Sequence, residues 1–317
     1  MIFSFIAVIA IIVFILLYLD NSIIDSYALS FNIAAVGDIG CVSKSKEIID
    51  KINNINPEIF IALGDLSYQS NANCFIDEIS TLGINKTKIV LGNHDDGESE
   101  PVNLTAAYLS SFNLKKPYYS FDYGNIHFLV LHTDSESIND NDQYQFADLD
   151  LSKTARNNTI DWVIVLFHKP MYTSFNGQCT NIPFYEFREK YHPLFDKYNV
   201  TLVLQAHNHF YERNLPLKFN VSNPSNPIIQ TVERNNYNLS RSTTFSPIFI
   251  TSGTGGMGLY PSEIGSCSNI DFPKNEYTVE RLRSYGFLEI EVDQQSLKIK
   301  FHDIDHQING DRFAITK

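Results

Sequence analysis

From residue 31 onward, short apolar runs alternate with stretches whose apolar residues recur every three or four positions, the pattern of strands joined by helices. FNIAAV (31–36) reads as a strand ending in Gly37-Asp38-Ile39-Gly40. KSKEIIDKINNI follows with Ile48, Ile49, Ile52 and Ile55 at helical spacing, and EIFIAL is the next strand, ending in Gly64-Asp65. This is a β-α-β unit. KIVL then precedes Gly92-Asn93-His94-Asp95, DWVIVLF precedes His168-Lys169-Pro170, and VTLVLQ precedes Ala206-His207-Asn208-His209. Five polar motifs thus sit at the C-terminal ends of strands, the edge of an open α/β sheet where loops converge on a ligand. YYSFDYGNIHFLVLH and SPIFITSG have the alternation of antiparallel strands, and FLEIEVD-QQ-SLKIKFHD reads as a closing hairpin. The segment 220–245, rich in Asn, Ser and Arg, reads as a loop or insertion.

Composition narrows the class. With 317 residues and 44% hydrophobic content, the chain can bury one large α/β core or two smaller ones. A formal charge of −12, from 24 basic and 36 acidic residues, argues against a nucleic-acid partner or broad contact with an anionic membrane, since polyanions are captured by Lys/Arg surfaces. Residues 2–19 are apolar except for Ser4 and Tyr18, close to the ~20 residues that span a bilayer. Residues 1–22 are therefore expected to be a signal or a single membrane anchor, with the remainder extracytoplasmic, either secreted or held by that one segment. There Cys41, Cys74, Cys179 and Cys267 can form disulfides. Three pairings are open; Cys41 and Cys74 each follow a polar motif by a few residues, which would bring them close together at its rim.

The strand-end groups, in chain order, are Asp38, Asp65 with Tyr68, Asn93 with His94, His168, and His207 with His209. Carboxylates, imidazoles, an amide oxygen and a phenol, with no thiolate, suit iron, zinc or manganese rather than a structural thiolate zinc site. They are too many for one ion. A bridging carboxylate suits two ions at the roughly 3.5–4 Å separation of two-metal hydrolases.

GDIG, GDLSY, GNHD, VLFH and AHNHFYER, in that order, resemble the five motif blocks of the purple acid phosphatases, a branch of the calcineurin-like metallophosphoesterases. The resemblance covers most of residues 31–305, including TSGTGGMGLYP. Two features select the branch: Gly40 stands where other members have the histidine of Asp-x-His, and Tyr68 stands where few have tyrosine. The resemblance implies a four-layer αββα sandwich, two mixed β-sheets flanked by helices, with residues 31–317 as a single metallophosphoesterase catalytic domain of the small type. It implies Fe(III) at Asp38, Asp65, Tyr68 and His209, and Fe(II), Zn or Mn at Asp65, Asn93, His168 and His207. His94 resembles the family's substrate-facing histidine, and with Asn93 and His168 it is expected to meet the substrate. Ala206 departs from the pattern, replacing the usual glycine before His-x-His, which would matter if that residue needed positive φ.

The activity this implies is acid phosphatase hydrolysis of phosphate monoesters by a metal-activated hydroxide, with a protonated His94 as the catalytic residue that either stabilises the phosphoryl group or protonates the leaving alkoxide. A trivalent and a divalent ion outweigh two carboxylates and one phenolate, so the metals supply the positive field that an acidic chain lacks. The substrate is expected to be a phosphorylated small molecule or a phosphoprotein. The rival readings are a phosphodiesterase acting on nucleotides or phospholipid head groups, and a non-catalytic metal-binding surface domain. Lys169, on the lip loop KPMYTSFNGQCTNI, is expected to be a solvated lysine. Tyr211, Glu212 and Arg213 are expected to support the site, and His127, His132, His192, His302 and His306 to be structural or surface residues.

Overall fold

The computed structural model describes residues 30–133, 141–174, 185–239, 245–260, 274–306 and 310–317. The opening unit follows the hydrophobic pattern. Strand β1 (Phe31–Val36) leads to helix α1 (Ser43–Ile55), which buries Ile48, Ile49 and Ile52. The helix stops where Asn56 turns left-handed at φ 44° and Pro57 follows, a side chain that tolerates this conformation and a ring that cannot continue a helix. Strand β2 (Ile59–Leu63), helix α2 (Asn73–Glu78), β3 (Thr87–Val90) and α3 (Thr105–Ser111) complete the first half.

Then come β4 (Tyr119–Tyr123), β5 (Ile126–Val130), α4 (Asn141–Thr154), β6 (Trp162–Leu166), α5 (Tyr185–Lys197) and β7 (Leu202–Gln205). The chain closes with β8 (Tyr211–Lys218), β9 (Ile228–Ile229), β10 (Asn236–Asn238), β11 (Ile248–Ser252), β12 (Thr278–Leu282), β13 (Gly286–Val292), β14 (Ser296–Asp303) and β15 (Arg312–Thr316). The expected antiparallel pair is β4–β5, and the closing hairpin is β13–β14. Residues 220–245, read as a loop, also contain β9 and β10. These strands are too short to show alternation; Tyr237 anchors β10 by entering the core, and β10 pairs with β15.

Two mixed sheets result. One runs β10-β15-β14-β13-β1-β2-β3, the other β12-β8-β11-β7-β6-β5-β4 with β9 on β8. Because strand side chains alternate in direction, each sheet buries both faces. Ile33, Ile61 and Val90 meet Phe128, Ile164 and Leu204 between the sheets. Ala34, Val36 and Phe60 pack against α1 and Phe75, while Leu129, Val165 and Val203 pack against Phe187, Tyr191 and Phe195. This is the expected four-layer sandwich. Each such large side chain contributes about 1.5–3 kcal/mol by leaving water.

Polar ties reinforce the layers. Arg213 of β8, fully buried, donates to Asp311 just before β15 on the other sheet, and Tyr211 Oη donates to the same carboxylate at 2.7 Å. Cys41 and Cys74 form a disulfide with Cα atoms 6.2 Å apart, joining the loop after β1 to α2. Cys179, Cys267 and the anchor expected over residues 1–22 lie outside the described residues, among which no helix is long and apolar enough to cross a membrane.

His127, on β5 opposite Asp122 of β4, places Nδ1 2.6 Å from Asp122 and Nε2 2.7 Å from Asp150. Burial disfavours its charged form, but the two carboxylates outweigh this and raise its pKa above the ordinary 6.5. Its stabilising charge is therefore fully present below the unfolded value and is lost as pH rises through the folded one. His127→Gln is expected to lower unfolding free energy by roughly 1.5 kcal/mol at pH 5 and by clearly less at pH 9. Urea midpoints for variant and wild type at each pH measure this, and an equal loss at both would refute the charged clamp.

Candidate metal centre and active site

The five motifs converge from two sheets rather than from the edge of one. Asp38, Asp65 and Asn93 follow β1, β2 and β3 of the first sheet; His168 and His207 follow β6 and β7 of the second. Parallel strands within each sheet put these ends on one side, and the packed sheets bring the two rows together. The turns are tight. Asp38, Asp65, Tyr68 and His207 have φ of 58°, 53°, 50° and 69°, a left-handed region that costs a non-glycine residue about 1–2 kcal/mol. Four such residues in one place mark a site where the surroundings impose the backbone.

Hydrogen bonds do the imposing. Asp38 Oδ2 accepts from the His207 backbone N–H at 2.8 Å, and Asp65 Oδ1 from that of His94 at 2.9 Å. Glycine makes room: a Cβ on Gly92 would lie 2.2 Å from Asp65 Oδ1. Ala206 is not among the residues with positive φ, so its methyl is compatible with the turn. That methyl would lie 2.5 Å from a Cβ on Gly37 and so fills the space which Gly37 leaves. The glycine-rich segment expected from sequence braces the same strand ends. Met257 donates its N–H to Asp38 O at 3.0 Å, and Gly258 O lies 2.8 Å from His209 Nδ1. The Tyr260 ring stacks on His209 at 4.8 Å.

Two donor groups form, sharing Asp65. In the first, Tyr68 Oη lies 3.0 Å from Asp38 Oδ1, 3.0 Å from Asp65 Oδ2 and 3.1 Å from His209 Nε2. In the second, Asp65, His168 and His207 offer ligand atoms all within 4.8 Å of one another, a cluster able to hold a metal ion. His168 Nδ1 is occupied by Leu63 O at 2.8 Å, which turns Nε2 toward Asp65 Oδ2 at 3.2 Å and His207 Nδ1 at 3.2 Å. Asn93 directly precedes His94, whose backbone N–H donates to Asp65 Oδ1. The Asn93 Oδ1 is buried without a hydrogen-bond partner among the described residues, an unmet acceptor of the kind a cation satisfies.

The electrostatics fit a cationic occupant. Burial opposes the charge on Asp38 and Asp65, yet His209 beside the first and His168 beside the second keep both below the usual carboxylate range. Burial also opposes a charged His168, but Asp65 outweighs it and raises His168 to about 9. Burial, then the charges of Asp38 and Asp65, push the Tyr68 phenol well above its ordinary value. Tyr68 can bind as phenolate only if an ion's charge reverses both effects, which a highly charged cation does.

On the open side, His94 keeps a quarter (25%) of its side chain exposed, with Nε2 4.0 Å from Asp65 Oδ2 and Nδ1 2.8 Å from Glu100. Lys169 is not a solvated lysine: it is 9% exposed and its ammonium meets both Glu98 oxygens, at 2.6 and 2.7 Å. His132, read as structural or surface, stands at the end of β5 with Nε2 3.3 Å from Asp96. Asp96, Glu98 and Glu100 were missed from sequence; the signal available was the acidic run DDGESE directly after GNH. Glu212 plays the expected supporting part, accepting from Thr173 Oγ1 and the Ser174 N–H at 2.9 Å each, which fixes the start of the lip.

The calcineurin-like phosphoesterase family matches residues 31–211. The chain belongs to the calcineurin-like phosphoesterases. Residues 246–311 of this phosphoesterase match a second family, iron/zinc purple acid phosphatase-like protein C. It is similar to purple acid phosphatase 18 of Arabidopsis thaliana, 28% identical over 276 residues that cover 82% of this chain and 56% of the relative. It is similar to the phosphoenolpyruvate phosphatase of Allium cepa, 24% identical over 285 residues, 83% of this chain and 55% of the relative. The chain spans about half the length of such curated relatives. Its fold matches purple acid phosphatase PPD1 from yellow lupin (Lupinus luteus) seeds with a TM-score of 0.68 at 21% identity, covering 91% of this chain and 54% of that one. GAP50, the anchor in the inner membrane complex of Plasmodium, matches with a TM-score of 0.58 at 14% identity, covering 90% and 89%.

Gly92→Ala is expected to displace Asp65 and strip bound metal, read as metal content per chain after dialysis. Gly83→Ala is the control. Gly83 is left-handed, at φ 91°, and a Cβ there meets nothing within 4 Å, so the substitution should cost about 1–2 kcal/mol of stability and leave metal content intact. Equal metal loss in both variants would contradict the packing account.

Proposed function

We propose that this phosphoesterase hydrolyses phosphate monoesters, as an acid phosphatase, on a dinuclear metal centre. The observation that carries the reading is the convergence of Asp38, Asp65 and His209 on the Tyr68 hydroxyl, all within 3.1 Å, beside the Asp65–His168–His207 cluster. This supports Fe(III) held by Asp38, Asp65, Tyr68 and His209, and Fe(II), Zn or Mn held by Asp65, Asn93, His168 and His207. When bound, the two cations supply charge for the phosphoryl oxygens and acidify the attacking water.

The chain's own groups do the rest. Asp65 belongs to both donor sets and so fixes their separation. Glu100 accepts from His94 Nδ1, which leaves Nε2, the atom nearer Asp65, to hold the proton for the departing alkoxide. His94 keeps a quarter of its side chain exposed, which suits a residue that must meet substrate. We further propose that residues 31–317 act as one exported catalytic domain behind a signal or anchor at residues 1–22. Recovery of native protein from the cytosol with residue 1 intact would refute export.

Loaded with iron and zinc, the protein is expected to show a higher kcat/KM for an aryl phosphate monoester than for the matching diester, with an acid optimum. Diester preference near neutral pH would overturn the reaction and keep the centre; two bound ions with no turnover of either ester would favour a binding domain. His94→Ala should lower kcat by about 100-fold or more at unchanged metal content. Tyr68→Phe should abolish the visible charge-transfer band, and a colourless active wild type would exclude the ferric assignment.

A further inference from the structure

The loop after β3 is fastened by Glu98 to Lys169 at 2.6 Å and by Glu100 to His94 at 2.8 Å. Between these ties lies Ser99. Its Oγ is 2.8 Å from Asn93 Nδ2, and its N–H donates to Asn93 O at 2.9 Å. The nitrogen end of the Asn93 carboxamide is thereby occupied, while Oδ1 is left buried and without a partner among the described residues. Lys169 directly follows His168 in the chain. The Glu98–Lys169 pair therefore spans 71 positions to join the loop carrying Asn93 to the loop carrying His168, one from each sheet.

We propose that Ser99 and the Glu98–Lys169 pair are positioning residues for the divalent half of the centre. Ser99 orients the Asn93 carboxamide so that its oxygen faces the ion, and the ion pair holds the Asn93 and His168 loops at ligand spacing. Neither contact touches Asp38, Tyr68 or His209, so their effect falls on one ion and spares the other. The inference rests on the dinuclear reading above. Groups that orient metal ligands typically account for 10- to 100-fold in affinity. The ion pair is part-buried, with the Glu98 side chain 36% exposed, so its effect is on loop spacing more than on overall stability.

The test uses the full chain, with metal content per chain read by emission spectrometry and zinc binding by calorimetric titration. Wild type should hold one tight ion and a second, titratable one. Ser99→Ala and Glu98→Gln are expected to weaken the second by about 10- to 100-fold while retaining the first, and Ser99→Thr, which keeps the hydroxyl, should restore it. Lys169→Met added to Glu98→Gln should cause little further loss, because the two residues act as one unit. Unchanged zinc affinity in Ser99→Ala and Glu98→Gln overturns the proposal, as does parallel loss of both ions, or a Ser99→Thr that behaves like Ser99→Ala. Two ions bound with these variant effects but no ester turnover would sink the hydrolase reading alone. Normal turnover with unaffected zinc binding in the variants would sink this one alone.

Discussion

Asp38 and Asp65 are held fully or almost fully out of water with a phenol between them. Buried carboxylates this close repel each other and lack solvent, so the arrangement holds only if positive charge is brought in. Much of the rest follows. His168 and His209 lie against the two carboxylates, backbone N–H groups of His94 and His207 point at them, and four residues accept left-handed backbone to keep them there. The strain serves the site: the fold spends stability to hold carboxylates and imidazoles together, and a cation bound among them would return it.

The sandwich makes this possible because neither sheet alone carries a full set. Carboxylates, phenol and amide come from the first sheet, imidazoles from the second. The apolar layer between them, from Ile33 and Ile61 to Phe128 and Ile164, sets how far apart the two rows stand. Close-packed interiors transmit small changes in volume, so the distance between ligands is a property of the core as much as of the loops. Arg213 and Asp311 bridge the sheets in a second place, behind the motif that carries both His-x-His imidazoles.

Much of this was legible in the sequence, because each motif is local: an apolar run fixes a strand, and the next residues fall at its end. The opening β-α-β unit and the closing hairpin could be read from periodicity alone, as runs of Ile and Val with turn residues between them. Other features depend on partners far away in the chain. Nothing near Lys169 announces that Glu98, 71 positions earlier, will bury it. The pairing of Cys41 with Cys74 was one of three possibilities until the α2 segment was seen beside the first loop. That the strand ends belong to two sheets is likewise invisible to a reading that moves along one strand at a time. The acidic run after GNH gave no signal of its own because its partners, His94, His132 and Lys169, come from three different strand ends.

The contact between Gly37 and Ala206 gives the motif pattern a different meaning. One position follows β1 and the other β7, on opposite sheets, and between them there is room for a single methyl group. A Cβ at position 37 would also lie 3.1 Å from the Cβ and the carbonyl oxygen of Leu63, so position 37 is closed to a side chain and only position 206 can carry the methyl. The alanine at 206 therefore depends on the glycine at 37: the departure in one motif is tolerated because the other motif, on the opposite sheet, leaves it the space.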